Sequence, residues 1–141
     1  MNFLSAVKTC VAKYATFAGR ASRSEYWYFH LFIVLVLVLM VVLAAVEPRT
    51  RNAIGIASCV FYLFVWLPSL AVAVRRLHDR NRSAWHYLWV FVPFFGAIVV
   101  VIWLCQKGVE GENRFGPDPL WKKNLSHKFD DDNAVHSHGP N

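Results

Sequence analysis

Two long uncharged apolar runs decide what this chain can fold into. Residues 31–46 and 53–74 contain no Asp, Glu, Lys or Arg and consist mostly of Val, Leu, Ile, Ala and aromatic residues. A helix over 26–46 would be about 30 Å long, the thickness of a bilayer's hydrocarbon core, and 53–74 gives the same or slightly more. In a soluble helix, charges would interrupt one face of such a run. None do, so both runs predict membrane-spanning helices. Composition points the same way. The chain is 56% hydrophobic and 17% charged, where soluble domains average roughly 45–50% apolar and about 25% charged. Its 141 residues read as one membrane domain over 1–119, with Gly/Pro turns over 108–119, and a flexible polar tail over 120–141.

A third apolar run, 84–105, carries Trp85, His86 and Trp89 at its start and Trp103 at its end. Interfacial aromatics at both ends favour a third span. Against it, Pro93-Phe94-Phe95-Gly96 interrupts the middle. If all three runs cross, one face holds Lys8, Lys13, Arg20, Arg23, Arg75, Arg76, Arg80 and Arg82, and the other holds Arg49, Arg51, Lys107, Arg114, Lys122, Lys123 and Lys128. Eight against seven says little about orientation. If the run instead breaks at Pro93/Gly96 and returns to its own face, the split is thirteen against two. The positive-inside rule is then strongly met. The hairpin puts non-helical backbone at membrane depth, where protein must cover it. Three plain spans are therefore the preferred expectation. Both versions place the N-terminus and the 75–83 loop in the cytoplasm.

Residues 2–18 predict an amphipathic helix lying in the membrane interface. Phe3, Leu4, Val7, Val11, Tyr14, Ala15 and Ala18 recur at helical spacing, and Lys8 and Lys13 border the polar face. The same basic, hydroxyl-rich, acid-free stretch also has the composition of a mitochondrial targeting peptide. Gly19 ends this helix, and Ser22-Arg23-Ser24-Glu25 is a capping-box pattern opening the next. Ser22 would cap the helix, and Glu25 would reach back to the Ser22 N–H. Pro68 removes one helical donor inside the second run and frees a backbone carbonyl. Cys10, Cys59 and Cys105 form no ligand or disulfide pattern and read as buried reduced thiols.

Between the second and third runs lies Arg75-Arg76-Leu77-His78-Asp79-Arg80-Asn81-Arg82-Ser83-Ala84-Trp85. Within a net charge of +6, Arg20, Arg23, Arg75, Arg76, Arg80 and Arg82 fall on one expected face. They suit anionic lipid or a phosphate-bearing ligand, at roughly 1 kcal/mol per residue near an anionic surface. Membrane lipids, a membrane-protein partner or a second copy of the chain are the expected partners, rather than nucleic acid. His78 and Asp79, joined by Glu25 in a proton-transfer or metal reading, lack a nucleophile pattern and ligand spacing. A structural reading is stronger: Arg75 pairs with Asp79 four residues on, and Asn81 or Ser83 caps the third helix. No catalytic residue, metal or cofactor is expected. His127, His136 and His138 with Asp130, Asp131 and Asp132 fit no closed metal site.

Three patches carry a family resemblance. They are Gly19-Arg20-Ala21-Ser22-Arg23-Ser24-Glu25-Tyr26-Trp27, then Arg75-Arg76-Leu77-His78-Asp79 with Asn81-Arg82-Ser83-Ala84-Trp85, then Gly111 with Asn113-Arg114-Phe115-Gly116-Pro117-Asp118-Pro119. In this order they resemble the small bacterial inner-membrane proteins known as domain of unknown function 805. His86 departs from the pattern, standing where many relatives have a second aromatic. The resemblance implies a multi-pass protein of the bacterial plasma membrane and marks Ser22, Glu25, Asp79, Ser83, Trp85, Asn113, Arg114, Gly116 and Pro117 as its motif. It implies no established activity. The expectation is an all-α integral membrane protein, not an enzyme, that binds a protein or anionic-lipid partner at a cytoplasmic basic surface. The alternative is a small transport or channel subunit using Pro68 and the Pro93/Gly96 break. The absence of an ionisable residue at mid-membrane depth argues against that alternative.

Overall fold

A computed structural model describes residues 1–121. Residues 122–141 of the expected 120–141 tail, with its histidines and aspartates, lie outside the described residues. Among the described residues four α-helices carry the fold: α1 (Phe3–Ala12), α2 (Arg23–Val46), α3 (Arg51–Asp79) and α4 (Gly96–Cys105). Short 3-10 helices lie at Pro48–Thr50 and Ala84–Phe91.

The first two apolar runs form α2 and α3, the two helices long and apolar enough to cross a membrane. Their 24 and 29 residues correspond to about 36 and 43 Å. Both exceed the thickness of a hydrocarbon core. The two helices pack antiparallel through Phe29, Ile33, Val65, Val72 and Leu77, with Phe32 against Phe61. Their outward faces remain apolar: Leu39 is 57%, Val41 69% and Leu63 72% exposed. An apolar surface of this extent suits lipid and not water.

Helix α1 is shorter than its periodicity suggests. Asn2 caps it by accepting from the Ser5 N–H at 2.9 Å, and Ser5 returns a bond to the Asn2 N–H. The helix ends at Ala12, and a Thr16-to-Lys13 backbone bond begins a turn. That turn sends Tyr14 to α3, where its hydroxyl donates to the Phe64 carbonyl at 2.6 Å. Phe64 lies four residues before Pro68, so its carbonyl is the one that proline leaves without a helical N–H. Ala6 and Cys10 are buried, and Leu4 and Val11 point outward. The buried stripe is therefore narrower than the apolar face read from spacing.

The third run is not one helix. Its first limb is the eight-residue 3-10 helix and its second is the ten-residue α4. The chain reverses between them through Pro93 and Phe94, the latter at φ 67. A Cβ on Gly96 would lie 1.8 Å from the Trp89 carbonyl oxygen, so only glycine lets the second limb close onto the first. Trp103 meets Trp89 and His86 across the limbs. Each limb is about 15 Å long, half a hydrocarbon core. Both ends of the hairpin lie at the Asp79 end of α3, where Arg76 Nε donates to the Leu104 carbonyl at 3.1 Å. The run therefore does not form the single continuous helix of the preferred plain third span, and two helices of spanning length are present among the described residues. A proline, a left-handed Phe94 and a glycine with no room for a side chain act together at one corner.

Candidate functional site

The last turn of α3 carries five consecutive non-alanine polar or bulky residues, 75–79, beyond its apolar stretch, and all five are buried. The segment before α2 and the segment after α4 fold over them. The result is a polar cap drawn from all three sequence patches.

Two carboxylates and three guanidinium groups form its centre. Arg75 donates to Glu25 Oε1 at 2.6 Å. Arg20 Nε donates to Asp79 Oδ1 at 2.9 Å, and Arg76 pairs with Asp79 Oδ2. Such pairs are retained at low exposure only when their remaining hydrogen-bonding groups are satisfied. Backbone carbonyls supply most of that satisfaction. Arg20 also donates to Gly111 O at 2.5 Å, to Gly116 O at 3.3 Å and to Val109 O. Arg76 reaches the carbonyls of Ala21, Leu104 and Gln106. In Arg75, Nε and Nη2 are buried without a hydrogen-bond partner among the described residues.

The loop after α4 is held from below as well. Val109 N–H donates to the Asp79 carbonyl at 2.9 Å. Asn113 Nδ2 donates to the His78 carbonyl at 3.0 Å, and Arg114 donates to the Asn81 carbonyl at 3.0 Å. The Phe115 ring stacks on His78 with centroids 3.9 Å apart and planes 3° from parallel. His78 Nδ1–H donates to the Gly19 carbonyl at 3.1 Å. Gly116, at φ 122, closes a tight turn with Asn113. Gly108 sits flat on the Asp79 carboxylate: a Cβ there would be 2.1 Å from Oδ2.

Several local expectations change. Arg75 does not pair with Asp79; it crosses to Glu25, while Arg76 and Arg20 take the carboxylate. Ser22 caps α2 through the Glu25 N–H at 3.2 Å, but the Glu25 carboxylate faces Arg75 and not the Ser22 N–H. Ser83 stands at the N-cap position of the 3-10 helix, yet its hydroxyl meets His86 Nδ1. Asn81 adopts φ 56 and accepts from Arg114 through its carbonyl.

The expected shared basic surface is largely internal. Arg20, Arg75 and Arg76 are buried. Arg80 is half-buried and donates to Gln106 Oε1 at 2.8 Å and to the Lys107 carbonyl. Arg82 lies over the Trp103 ring at 4.1 Å. Arg23 is exposed. Among the motif residues, Trp85 is 77% exposed at the base of the hairpin and takes no part in the cap. Pro117 follows the Gly116 turn at the surface.

Sequence reading missed Gly108 and the Arg20–Asp79 pair. Each joins positions far apart in the chain, and only the recurrence of charged patches in a hydrophobic chain hinted at their meeting. Cys10 also belongs to the cap, with Sγ 3.9 Å from Glu25 Oε1. Burial pushes its thiol up to about 12, with the Glu25 carboxylate adding to the effect. Cys59 and Cys105 are exposed on the apolar faces, not buried.

Beside the cap opens a cavity of about 360 Å³, whose lining includes Ser22, Arg23, Ser24, Tyr28, Lys107 and Glu110, with Arg76 and Asp79 reaching it from the cap. Lys107 pairs with Glu110 at its rim.

Known proteins share this arrangement of sequence. The model of a family described as "Protein of unknown function (DUF805)" matches residues 14–117. Inner membrane protein YhaH of Escherichia coli (strain K12) is 43% identical over 110 residues, covering 75% of this chain and 88% of that protein. Inner membrane protein YhaI of the same organism is 38% identical over 126 residues, covering 86% and 98%. The uncharacterized protein YiiR is 28% identical over 128 residues, covering 73% and 85%. No solved structure matches the chain.

Proposed function

From a chain that belongs to the DUF805 family and is an all-helical inner-membrane protein, we propose a two-span protein with a re-entrant hairpin whose cytoplasmic cap binds the headgroup of an anionic lipid. Helices α2 and α3 cross the bilayer. The hairpin of 84–105 enters and leaves by the cytoplasmic face. The N-terminal segment, the 75–83 loop and the 106–121 segment then share that face. Among the described residues this face holds ten Lys and Arg, and the opposite turn holds Arg49 and Arg51, the asymmetry that the positive-inside rule expects.

One observation carries the binding role: the cavity at the start of α2. Its lining brings Arg23 and Lys107 together with Ser22 and Ser24 at the helix N-terminus. Ser22 uses its side chain on the Glu25 N–H, so earlier N–H groups of the first turn remain available to an acceptor oxygen. Tyr28 and Met1 supply an apolar side at the level where headgroup meets chain. The buried arginines do not bind the ligand; they hold the cavity's walls together. The role is non-enzymatic, because the cap's carboxylates are committed to guanidinium groups.

Two measurements test this reading. A reporter fused at Gly108 is expected to give a cytoplasmic signal; a periplasmic signal would refute the hairpin. Purified protein is expected to gain thermal stability with phosphatidylglycerol over phosphatidylethanolamine. Arg23→Ala with Lys107→Ala should remove about 2 kcal/mol of that preference. An unchanged preference would refute the site.

A further inference from the structure

A second cavity, of about 550 Å³ and open on its outer side, where Tyr62, Trp66 and Phe91 are exposed, lies between α2, α3 and the first limb of the hairpin. It is well separated in kind from the cap cavity: its walls are Ile33, Val65, Trp66, Leu88 and Phe91, with no Asp, Glu, Lys or Arg in its lining. Four hydroxyl or imidazole side chains nevertheless line it: His30 from α2, Tyr62 and Ser69 from α3, and Tyr87 from the hairpin.

Neighbours fix the hydrogen-bonding state of His30 and Ser69. His30 Nδ1 lies 3.0 Å from the Tyr26 carbonyl, which can only accept, so Nδ1 carries the proton. Nε2 is then an acceptor, and it makes no hydrogen bond among the described residues. The hydroxyls of Tyr62 and Tyr87 likewise make none there. Ser69, also in the lining, is already satisfied by the Val65 carbonyl at 2.7 Å. On the topology proposed above, an apolar site with an unused acceptor and two unused hydroxyls is costly at membrane depth, where water does not supply partners. An all-hydrocarbon occupant leaves that cost in place. An occupant with oxygens on a flat head removes it.

We infer that this cavity binds a membrane-dissolved amphiphile of the quinone class, with a planar head bearing carbonyl or hydroxyl oxygens. The Tyr62 and Tyr87 hydroxyls donate to carbonyl oxygens. His30 Nε2 accepts from a hydroxyl in the reduced form. Trp66 and Phe91 offer flat apolar walls to the ring. The volume falls in the range of small-molecule sites, which are mostly apolar with a few convergent polar groups. Because one wall belongs to the hairpin, the site exists only while 84–105 is folded back on α3.

The test is a titration of the purified full-length protein in detergent with a short-chain ubiquinone analogue, read by quenching of tryptophan fluorescence. The expected result is saturable quenching that is reduced in Trp66→Phe. Tyr62→Phe with Tyr87→Phe should bind about tenfold more weakly, as loss of hydrogen bonds to the head requires. Circular dichroism and gel filtration of that double variant verify folding. If it fails to fold, competition in the wild-type protein decides: an alkane of equal chain length without the ring should not displace the analogue. Three results would each overturn the inference: non-saturating quenching, equal affinity in a folded double variant, or equal competition by the alkane. The last would mark the cavity as a groove for acyl chains.

Discussion

Gly108 gives the sharpest test of the cap. Its backbone is not in the left-handed region, so the demand for glycine is one of space. In Gly108→Ala the methyl would lie 2.1 Å from Asp79 Oδ2 and 2.7 Å from Cγ. Asp79 cannot retreat, because Arg20 and Arg76 hold both carboxylate oxygens. The loop has to lift instead. Lifting breaks the Val109 N–H bond to the Asp79 carbonyl and the Arg20 bonds to Val109 and Gly111. Hydrogen bonds to charged groups contribute roughly 1.5–3 kcal/mol and neutral ones about 1 kcal/mol, less whatever water recovers at the cavity edge. A net cost of about 4 kcal/mol follows, or roughly a 10³-fold rise in the open population. Trypsin reads that population directly, since Lys107 and Arg114 lie in the loop and cleavage tracks opening when reclosing is fast. Gly55→Ala is the control: a Cβ there meets nothing within 4 Å. Cleavage of Gly108→Ala within threefold of wild type would refute the packing argument, as would equal sensitivity in Gly55→Ala.

Two further predictions concern the opposite side of the cap. Glu25→Gln leaves Arg75 buried without a carboxylate and is expected to cost about 3–5 kcal/mol in a denaturation experiment. Adding Arg75→Met should recover much of that loss, and no recovery would deny the pair its role. Cys10, raised to about 12 from an ordinary value of 9.0, should resist iodoacetamide at pH 8. Because only the thiolate reacts, its rate in the folded protein should climb about tenfold per pH unit from 8 to 10. In denaturant it should level off above pH 9. Mass spectrometry of the labelled peptide checks both slopes, and a folded rate equal to the denatured one refutes the burial.

What could be read from the chain alone was local. The two long helices follow from uncharged runs, and the Ser22 cap from a four-residue pattern. The carbonyl freed by Pro68 follows from covalent geometry. The arginine partners could not be read, because the same residues satisfy a local rule equally well. Arg75 and Asp79 have good i,i+4 spacing, yet Glu25 and Arg20, fifty and fifty-nine residues away, compete for them and win. Glu25 similarly fits a capping box and is drawn off by Arg75. The hairpin was visible as a break at Pro93 and Gly96. Its closure depends on the Trp89 carbonyl fitting against Gly96 and on Phe94 taking a backbone conformation that its sequence does not announce.

The cap also joins the two ends of synthesis. Arg20 leaves the ribosome early, but the carbonyls of Val109, Gly111 and Gly116 that surround it are made about ninety residues later. Until then Arg20, Arg75 and Arg76 are cations with an incomplete shell, able, on the topology proposed above, to hold their end of α2 and α3 in the cytoplasm as those helices enter the bilayer. Once 106–117 emerges, the same three side chains disappear into the fold. On the topology proposed above, a charge that first orients the chain later becomes the material of its interior. On that topology Arg20, Arg75 and Arg76 meet two demands at different moments.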